Sequence, residues 1–402
     1  MSIDVAHVAS QIESSMPDVC LISKVWRSGT GWYAQMLSEA IGEAGAQIAF
    51  ISPAAEPRER EPKGTNLKRV FVPRELMTAA PRWKRLTASL RRSISSTVAA
   101  ISLRRTTGTY IFNIPEPFIF TLPLFVFLRM SGAKIIYIVH DAVPHKWRFD
   151  GFIRKFEDML YRVSYALPNH LVVLAPAARQ VLVKRYGISA DKIGVIPHGP
   201  FSTGSITPMP GTGRLLCFGT VRRNKNVLET IRAVKTARAQ GLDVTLQISG
   251  EIHPLESEYW DTCLAEIRQD EAGFELDIRF VPDASLPELI AKVDAFVLPY
   301  EDFSSQSGVA VLAATSGRPV IGTASGGLAD LFAVGMAGVE LVSPVSSDAI
   351  LQGIYTFKGE SISAWSARAA LGAESVQKEI AWSRVAQQFL NIVRDLNRHA
   401  PA

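Results

Sequence analysis

The stretch Arg214-Leu215-Leu216-Cys217-Phe218-Gly219-Thr220-Val221-Arg222-Arg223-Asn224-Lys225-Asn226 passes from a short apolar run into a glycine, then clustered cations, then helical spacing over 226–240. An apolar run of that length reads as a buried strand, and a glycine at its exit into a helix marks a parallel α/β unit. Toward the C terminus the alternation continues with strand at 243–248, helix at 256–270, strand at 278–281, helix at 286–292 and strand at 295–298. A loop, a helix over 310–315 and a strand at 319–322 follow. In the other direction, residues 201–213 are rich in Ser, Thr, Pro and Gly and read as a linker. Before it, apolar runs at 19–25, 47–51, 110–114, 134–139 and 171–174 alternate with longer helical segments. The chain is therefore read as α/β, with two Rossmann-like doubly wound parallel-sheet domains at 1–200 and 214–384. Sheets of this kind take ligands at the carboxyl ends of their strands, so a shared ligand is expected in a cleft between the two. Trp382, Val385, Phe389, Ile392, Val393 and Leu396 recur at three- and four-residue steps, which predicts a closing amphipathic helix over 385–402.

Composition narrows the class. Of 402 residues, 47% are hydrophobic and 20% charged, which excludes a disordered or collagen-like chain. The most apolar charge-free run, 117–128, is interrupted by Pro123 and falls short of the ~20 residues a membrane-spanning helix needs. The start Met1-Ser2-Ile3-Asp4 lacks the basic, then apolar, pattern of a secretory signal, so a cytoplasmic location is expected. Cys20, Cys217 and Cys263 have neither disulfide nor metal-ligand spacing, and no metal site is expected. The net charge of +5 is unevenly spread: residues 63–105 hold eleven Lys and Arg against the single acid Glu75. Such a concentration points to a polyanion, a nucleic acid or an anionic membrane. The aromatic residues do not interleave with these cations as a base-stacking platform requires, which argues against nucleic acid. Trp83, Leu86, Leu90, Ile94, Val98 and Ile101 recur at helical steps, with Arg82, Lys84, Arg85, Arg91 and Arg92 on other faces, as in an interfacial helix.

Several strand-to-helix turns carry residues suited to chemistry. The first strand runs into Arg27-Ser28-Gly29-Thr30-Gly31, glycines that give a ligand close backbone access at a helix start. The second predicted strand ends Ile51-Ser52-Pro53, without the acid a dinucleotide-binding site places there. Tyr137-Ile138-Val139-His140-Asp141 delivers two ionisable side chains at a strand's carboxyl end, with His145 just beyond, and an Asp there is placed to accept a proton from an attacking hydroxyl. Pro197-His198-Gly199 closes the first half. In the second half, Arg222, Arg223 and Lys225 add charge at a helix start, a cradle for phosphate. Tyr300 and the run Gln306-Ser307-Gly308-Val309 lead into another helix whose N-terminal amides face an anion, and Gly250 ends a neighbouring strand.

In their order these pieces resemble the GT-B fold "group 1" (family 4-like) glycosyltransferases of bacterial polysaccharide assembly: the Gly-rich first loop, His140-Asp141, Pro197-His198-Gly199, Lys225-Asn226 and the closing Gly317-Arg318-Pro319-Val320-Ile321-Gly322-Thr323. The resemblance implies that the helix over 385–402 returns to the N-terminal domain, and that a UDP- or GDP-sugar donor sits on the C-terminal domain, with no further cofactor. It implies Lys225 on the diphosphate, Thr220 where an Arg is usual with Arg222 or Arg223 as substitute, and Gly250, Tyr300, Gln306, Ser307, Gly308 and Val309 along the donor. Gly29, Thr30, Gly31, His145 and His198 fall on the acceptor side. Retaining relatives carry two glutamates where this chain has Ser304 and Leu312. The pattern is closer to inverting exopolysaccharide enzymes, which need a base beside the acceptor, here Asp141 or, in its place, His140. The expected acceptor is a polyprenyl-diphosphate-linked saccharide, met at an anionic inner-membrane surface through residues 73–105. The competing expectation is a non-catalytic subunit that binds a nucleotide-sugar or lipid within an assembly complex.

Overall fold

The structure, a computed structural model, describes residues 18–398 apart from 56–60, 77–79, 115, 145–146, 148–150, 202–203 and 302. The chain divides into two compact units, the first ending at Gly199 and regained at Ala381, the second Pro200–Ile380.

The first unit is a seven-stranded sheet of β1 (Val19–Ile22), β2 (Ile48–Pro53), β3 (Leu67–Val72), β4 (Thr109–Phe112), β5 (Lys134–Val139), β6 (His170–Val173) and β7 (Ile193–Val195), in the order 3-2-1-4-5-6-7. All its pairings are parallel. Its helices are α1 (Ser28–Glu43), α2 (Arg82–Ser102), α3 (Phe118–Met130), α4 (Gly151–Ala166) and α5 (Pro176–Tyr186). The second unit is a six-stranded sheet of β8 (Arg214–Phe218), β9 (Thr245–Ser249), β10 (Phe274–Asp277), β11 (Ala295–Leu298), β12 (Val320–Thr323) and β13 (Gly338–Leu341), ordered 10-9-8-11-12-13. Its helices are α6 (Val227–Ala239), α7 (Ser257–Ile267), α8 (Leu286–Ala291), α9 (Gly308–Thr315), α10 (Gly327–Val334), α11 (Ser347–Lys358) and α12 (Ile362–Glu379). A last helix, α13 (Trp382–Arg398), belongs to the first unit and packs on α1.

Successive residues of a strand face opposite sides of its sheet, and the first sheet uses both. Cys20, Ile22, Tyr110, Phe112, Ile135 and Tyr137 pack under α2 to α5. Val19, Leu21, Ile111, Ile136 and Ile138 pack under α1 and under Val385, Phe389 and Val393 of α13. Burying each of those three side chains is worth about 1.5–3 kcal/mol, so the amphipathic spacing of α13 is explained by its seat on this core.

The sequence reading needs correction at the sheet edges. The strand expected at 278–281 is instead β10 at Phe274–Asp277, and β3, β7 and β13 had no predicted counterpart. All four are edge strands. In β10 only Phe274 is buried, because one flank of an edge strand meets water and carries no continuous apolar run. The segment read as a linker is fastened to the second unit. Fully buried Arg318 donates from Nη1 to Thr207 O (2.7 Å) and from Nη2 to Thr207 Oγ1 (2.9 Å), and Asp294 accepts from the amides of Gly211 (2.7 Å) and Gly213 (2.6 Å).

Candidate active site

In the second unit the chain leaves β8 through Gly219, at φ +89°, whose N–H donates to Ser249 O (2.9 Å). Gly250 leaves β9 at φ +142°, and a Cβ on it would stand 2.3 Å from Gly219 O. The two turns are thus in backbone contact, and only glycine fits at 250. A 3-10 turn, Arg223–Lys225, then leads through Asn226 in the left-handed region (φ 51°) into α6. Asn226 Nδ2 donates to Pro299 O (2.8 Å) and Glu301 N donates to Asn224 O (3.0 Å), tying this turn to the end of β11.

These bonds aim Lys225 back across the sheet edge. Its Nζ donates weakly to Phe218 O (3.4 Å) and stands 5.5 Å from the centre of the Tyr300 ring. A Cβ built on Gly219 would meet Lys225 Nζ at 3.2 Å and Val309 Cγ2 at 3.4 Å. Gly219, the Lys225 ammonium and the first turn of α9 therefore converge. Ser307 caps that helix, its Oγ accepting from Ala310 N (3.2 Å), while Gly308 and Val309 present the leading amides of the helix. The loop before it, with Ser305 and Gln306 buried, rests on Gly326 and Gly327, where a Cβ would stand 2.3 Å from Phe303 O and 2.6 Å from Gln306 Cα respectively. Thr220 lines the same recess with Gly219, Lys225 and Tyr300.

Burial, reinforced by the nearby Arg222 cation, lowers the Lys225 pKa to about 8. A cation so placed, beside free helix amides, is a site for an anion. Arg223 does not join it: its guanidinium is exposed and lies 4.9 Å from the Tyr259 ring centre, so of the two arginines it is Arg222 that stands by Lys225. Leu312 is buried in the core and Ser304 is partly exposed. The nearby carboxylate of Glu301 accepts from Val345 N (2.8 Å) through Oε1.

In the first unit β5 carries His140 and Asp141 out at its carboxyl end. His140 Nε2 is 2.6 Å from Asn113 Oδ1, and Asn113 Nδ2 donates to Thr30 O (2.8 Å) and Ser23 Oγ (3.3 Å). Because the amide nitrogen is committed to a carbonyl, Oδ1 is the acceptor, Nε2 bears the proton and Nδ1 holds the lone pair. The ring is edge-on to Tyr33 at 5.3 Å, and burial lowers its pKa to about 4 against the raising effect of Asp141. His140 is thus a neutral, weak base. Asp141 is exposed, and Tyr165 steadies its strand end by donating to Ala142 O (3.1 Å).

The other acceptor-side candidates separate. His198 is buried, stacked on Trp32 at 5.8 Å and flanked by Tyr33 at 5.1 Å and Trp382 at 6.1 Å. Its Nδ1 lies 2.6 Å from Gly199 O, and burial lowers its pKa to about 4. A Cβ on Gly199 would stand 2.2 Å from Trp382 Cε2, so Pro197-His198-Gly199 seats an aromatic cluster. Gly31 is required by packing, because its Cβ would come within 2.4 Å of the Trp26 carbonyl carbon, whereas Gly29 has nothing within 4 Å. Thr30 contributes its carbonyl to Asn113, and Glu75 Oε2 accepts from Trp26 N (3.2 Å) and Arg27 N (3.3 Å) ahead of α1. His145 lies outside the described residues. Sequence reasoning missed Asn113, and it noted Asn226 only as part of the Lys225-Asn226 motif, without its bond to Pro299 O. The first had a signal, since a polar residue directly after the apolar run Tyr110-Ile111-Phe112 occupies the same strand-end position as His140.

Two family models match the chain, Glycosyltransferase Family 4 over residues 27–199 and Glycosyl transferases group 1 over residues 212–357. The chain belongs to the group 1 glycosyltransferases. Its architecture is GT-B, as in the Anabaena HepE crystal structure with UDP and glucose, with a TM-score of 0.69 at 14% identity over 94% of this chain and 100% of that one. The sucrose-phosphate synthase of Thermosynechococcus elongatus superposes with the same TM-score at 18% identity, over 94% of this chain and 99% of that one. In sequence, this glycosyltransferase is 30% identical over 176 residues to a D-inositol 3-phosphate glycosyltransferase of Pseudarthrobacter chlorophenolicus. That match spans 39% of this chain and only 40% of the relative. It is also 22% identical over 369 residues to an MMP alpha-(1->4)-mannosyltransferase of Mycolicibacterium hassiacum, covering 81% of this chain and 85% of that one.

Proposed function

We propose that this glycosyltransferase moves a hexosyl group, with inversion, from a nucleotide diphosphate sugar to a lipid-linked saccharide during exopolysaccharide or surface polysaccharide assembly. The observation that carries the donor reading is the convergence of Lys225, Gly219 and the α9 N-terminus around one point. A diphosphate there meets a cation and helix amides as charge builds on the departing group, and this requires no metal. Arg222 adds to that charge and Tyr300 floors the recess. UDP and GDP both fit this chemistry, and the HepE complex with UDP favours testing UDP first.

The inverting reading rests on what replaces the two glutamates, a core leucine and a serine, and on an exposed carboxylate at the end of β5. In the proposed step the acceptor hydroxyl oxygen bonds to C1 of the hexose, its proton passes to the Asp141 carboxylate, and the C1–oxygen bond breaks with its electron pair leaving on the diphosphate. With its low basicity, His140 is the weaker candidate for that proton, and its role in this scheme is to line the acceptor side in one fixed tautomer. The test is transfer from radiolabelled UDP- and GDP-hexoses to a bacterial lipid extract by the purified enzyme. Label entering the lipid phase is expected, and nucleotide binding without any transfer or hydrolysis would overturn the proposal.

A further inference from the structure

The geometry points to α2, α3 and α4 together as a docking face for an anionic lipid bilayer, which deepens the lipid-borne acceptor reading above. Helix α2 is the first sign. It turns small residues, Ser93, Ser96, Ala99 and Ala100, toward the sheet, and with them Arg92, which donates to Arg74 O (3.1 Å). Its large apolar residues go the other way: Trp83 is 64% exposed, Leu86 70% and Leu90 47%. The apolar row read from the sequence is therefore not the core-packing row.

Its neighbours continue the pattern. Helix α3 packs between α2 and α4 and exposes Ile119 and Met130, and α4 exposes Phe152 (83%), Ile153 and Phe156. No helix among the described residues is long and apolar enough to cross a membrane, so these side chains belong to a surface. Charge on that surface has one sign. Every exposed charged side chain of the three helices is a cation: Arg82, Lys84, Arg85 and Arg91 on α2, Arg129 on α3, and Arg154, Lys155 and Arg162 on α4. The two acids of α4 are withdrawn, Glu157 by burial and Asp158 by an ion pair with Arg185 (3.0 Å).

Aromatic and aliphatic anchors ringed by cations suit an interface of anionic headgroups over hydrocarbon, where each cation strengthens binding by about fivefold. A second copy of this face would set cations against cations. Position adds a functional reason. Crossover helices run antiparallel to the strands of a parallel sheet, so the N-terminal turns bearing Trp83, Leu86, Ile119, Phe152 and Phe156 lie at the carboxyl rim from which β5 delivers His140 and Asp141. A bilayer on this face holds a lipid-borne acceptor at the rim that carries the proposed base.

The test is sedimentation of the full chain with phosphatidylcholine vesicles, with and without phosphatidylglycerol. Binding to the anionic vesicles is expected, weakened by salt, and at least tenfold weaker for Trp83→Ser with Phe152→Ser and for Arg82→Glu with Arg85→Glu. Both pairs are exposed, so melting temperature and UDP affinity should stay at wild-type values. Equal binding of variants and wild type, or no preference for anionic lipid, would overturn the proposal. A dimer in sedimentation velocity that the Trp83→Ser, Phe152→Ser variant dissociates would overturn it too, by assigning the face to a second copy. The assay uses neither donor nor acceptor. Vesicle binding without transfer would sink the catalytic reading alone, and transfer to detergent-dispersed lipid without vesicle binding would sink this one alone.

Discussion

Replacing Lys225 with methionine is expected to strengthen the ligand-free fold while weakening the nucleotide complex. The ammonium is held in a recess where burial and Arg222 lower its pKa from 10.5 to about 8. One pKa unit corresponds to about 1.4 kcal/mol, and allowing for the partial exposure of the side chain, the charged form costs the folded state on the order of 1–3 kcal/mol. The sign follows from the folded value lying below the unfolded one. The cost is full below pH 8, where both states are protonated, and fades between about pH 8 and 10.5, above which both are neutral. At pH 7 the methionine variant should therefore melt higher, by about 2–4 °C per kcal/mol for a unit of this size. Against that, a charge-assisted contact to a diphosphate is worth about 1.5–3 kcal/mol, so UDP or GDP should bind about 10- to 100-fold more weakly. Wild-type affinity should also fall as pH rises above 8 and the ammonium is lost, while the variant stays flat. Scanning calorimetry and titration calorimetry with UDP and GDP measure both halves. A variant that melts lower, or binds nucleotide as the wild type does, would refute the assignment of Lys225 to an anion.

Asp141→Asn should lower transfer at least 100-fold with UDP affinity unchanged, measured by label transfer and titration calorimetry; near-normal turnover would remove Asp141 from the base role. Asn113→Asp places a carboxylate on His140 Nε2, so the imidazole proton resonances, which should titrate near pH 4 in the wild type, are expected to move up by a unit or more by NMR. Gly31→Ala forces a methyl against the Trp26 backbone and should cost about 1–3 kcal/mol in denaturant unfolding, whereas Gly29→Ala, with open space around it, should change stability by less than about 1 kcal/mol.

Central strands and strand-end motifs were legible because their physics is local. Strands β5, β8 and β11 are buried on both faces and appear in the sequence as unbroken apolar runs, with β8 and β5 leading into the candidate site residues. Edge strands such as β3, with Lys68, Arg69 and an exposed Phe71, escape this reading because water replaces one neighbour. The choice between Arg222 and Arg223 was undecidable from spacing, since it turns on Tyr259, a residue of α7 more than thirty positions away that holds Arg223 aside. The packing of His198, which the resemblance places on the acceptor side, was hidden for the same reason: Trp382, one of its aromatic neighbours, arrives from the far end of the chain. Helical spacing found α2 and its outward apolar row, but not the row that packs on the sheet, because small Ser and Ala residues leave no mark in an apolar pattern.

Slow hydrolysis of an α-linked UDP- or GDP-hexose by the purified enzyme, followed by proton NMR before the released sugar mutarotates, reads the stereochemistry with no acceptor present. Water taking the place of the acceptor hydroxyl should release the β-hexose first, and in the Asp141→Asn variant the release should cease. Initial appearance of the α-hexose would mean retention, and would contradict a single displacement assisted by Asp141.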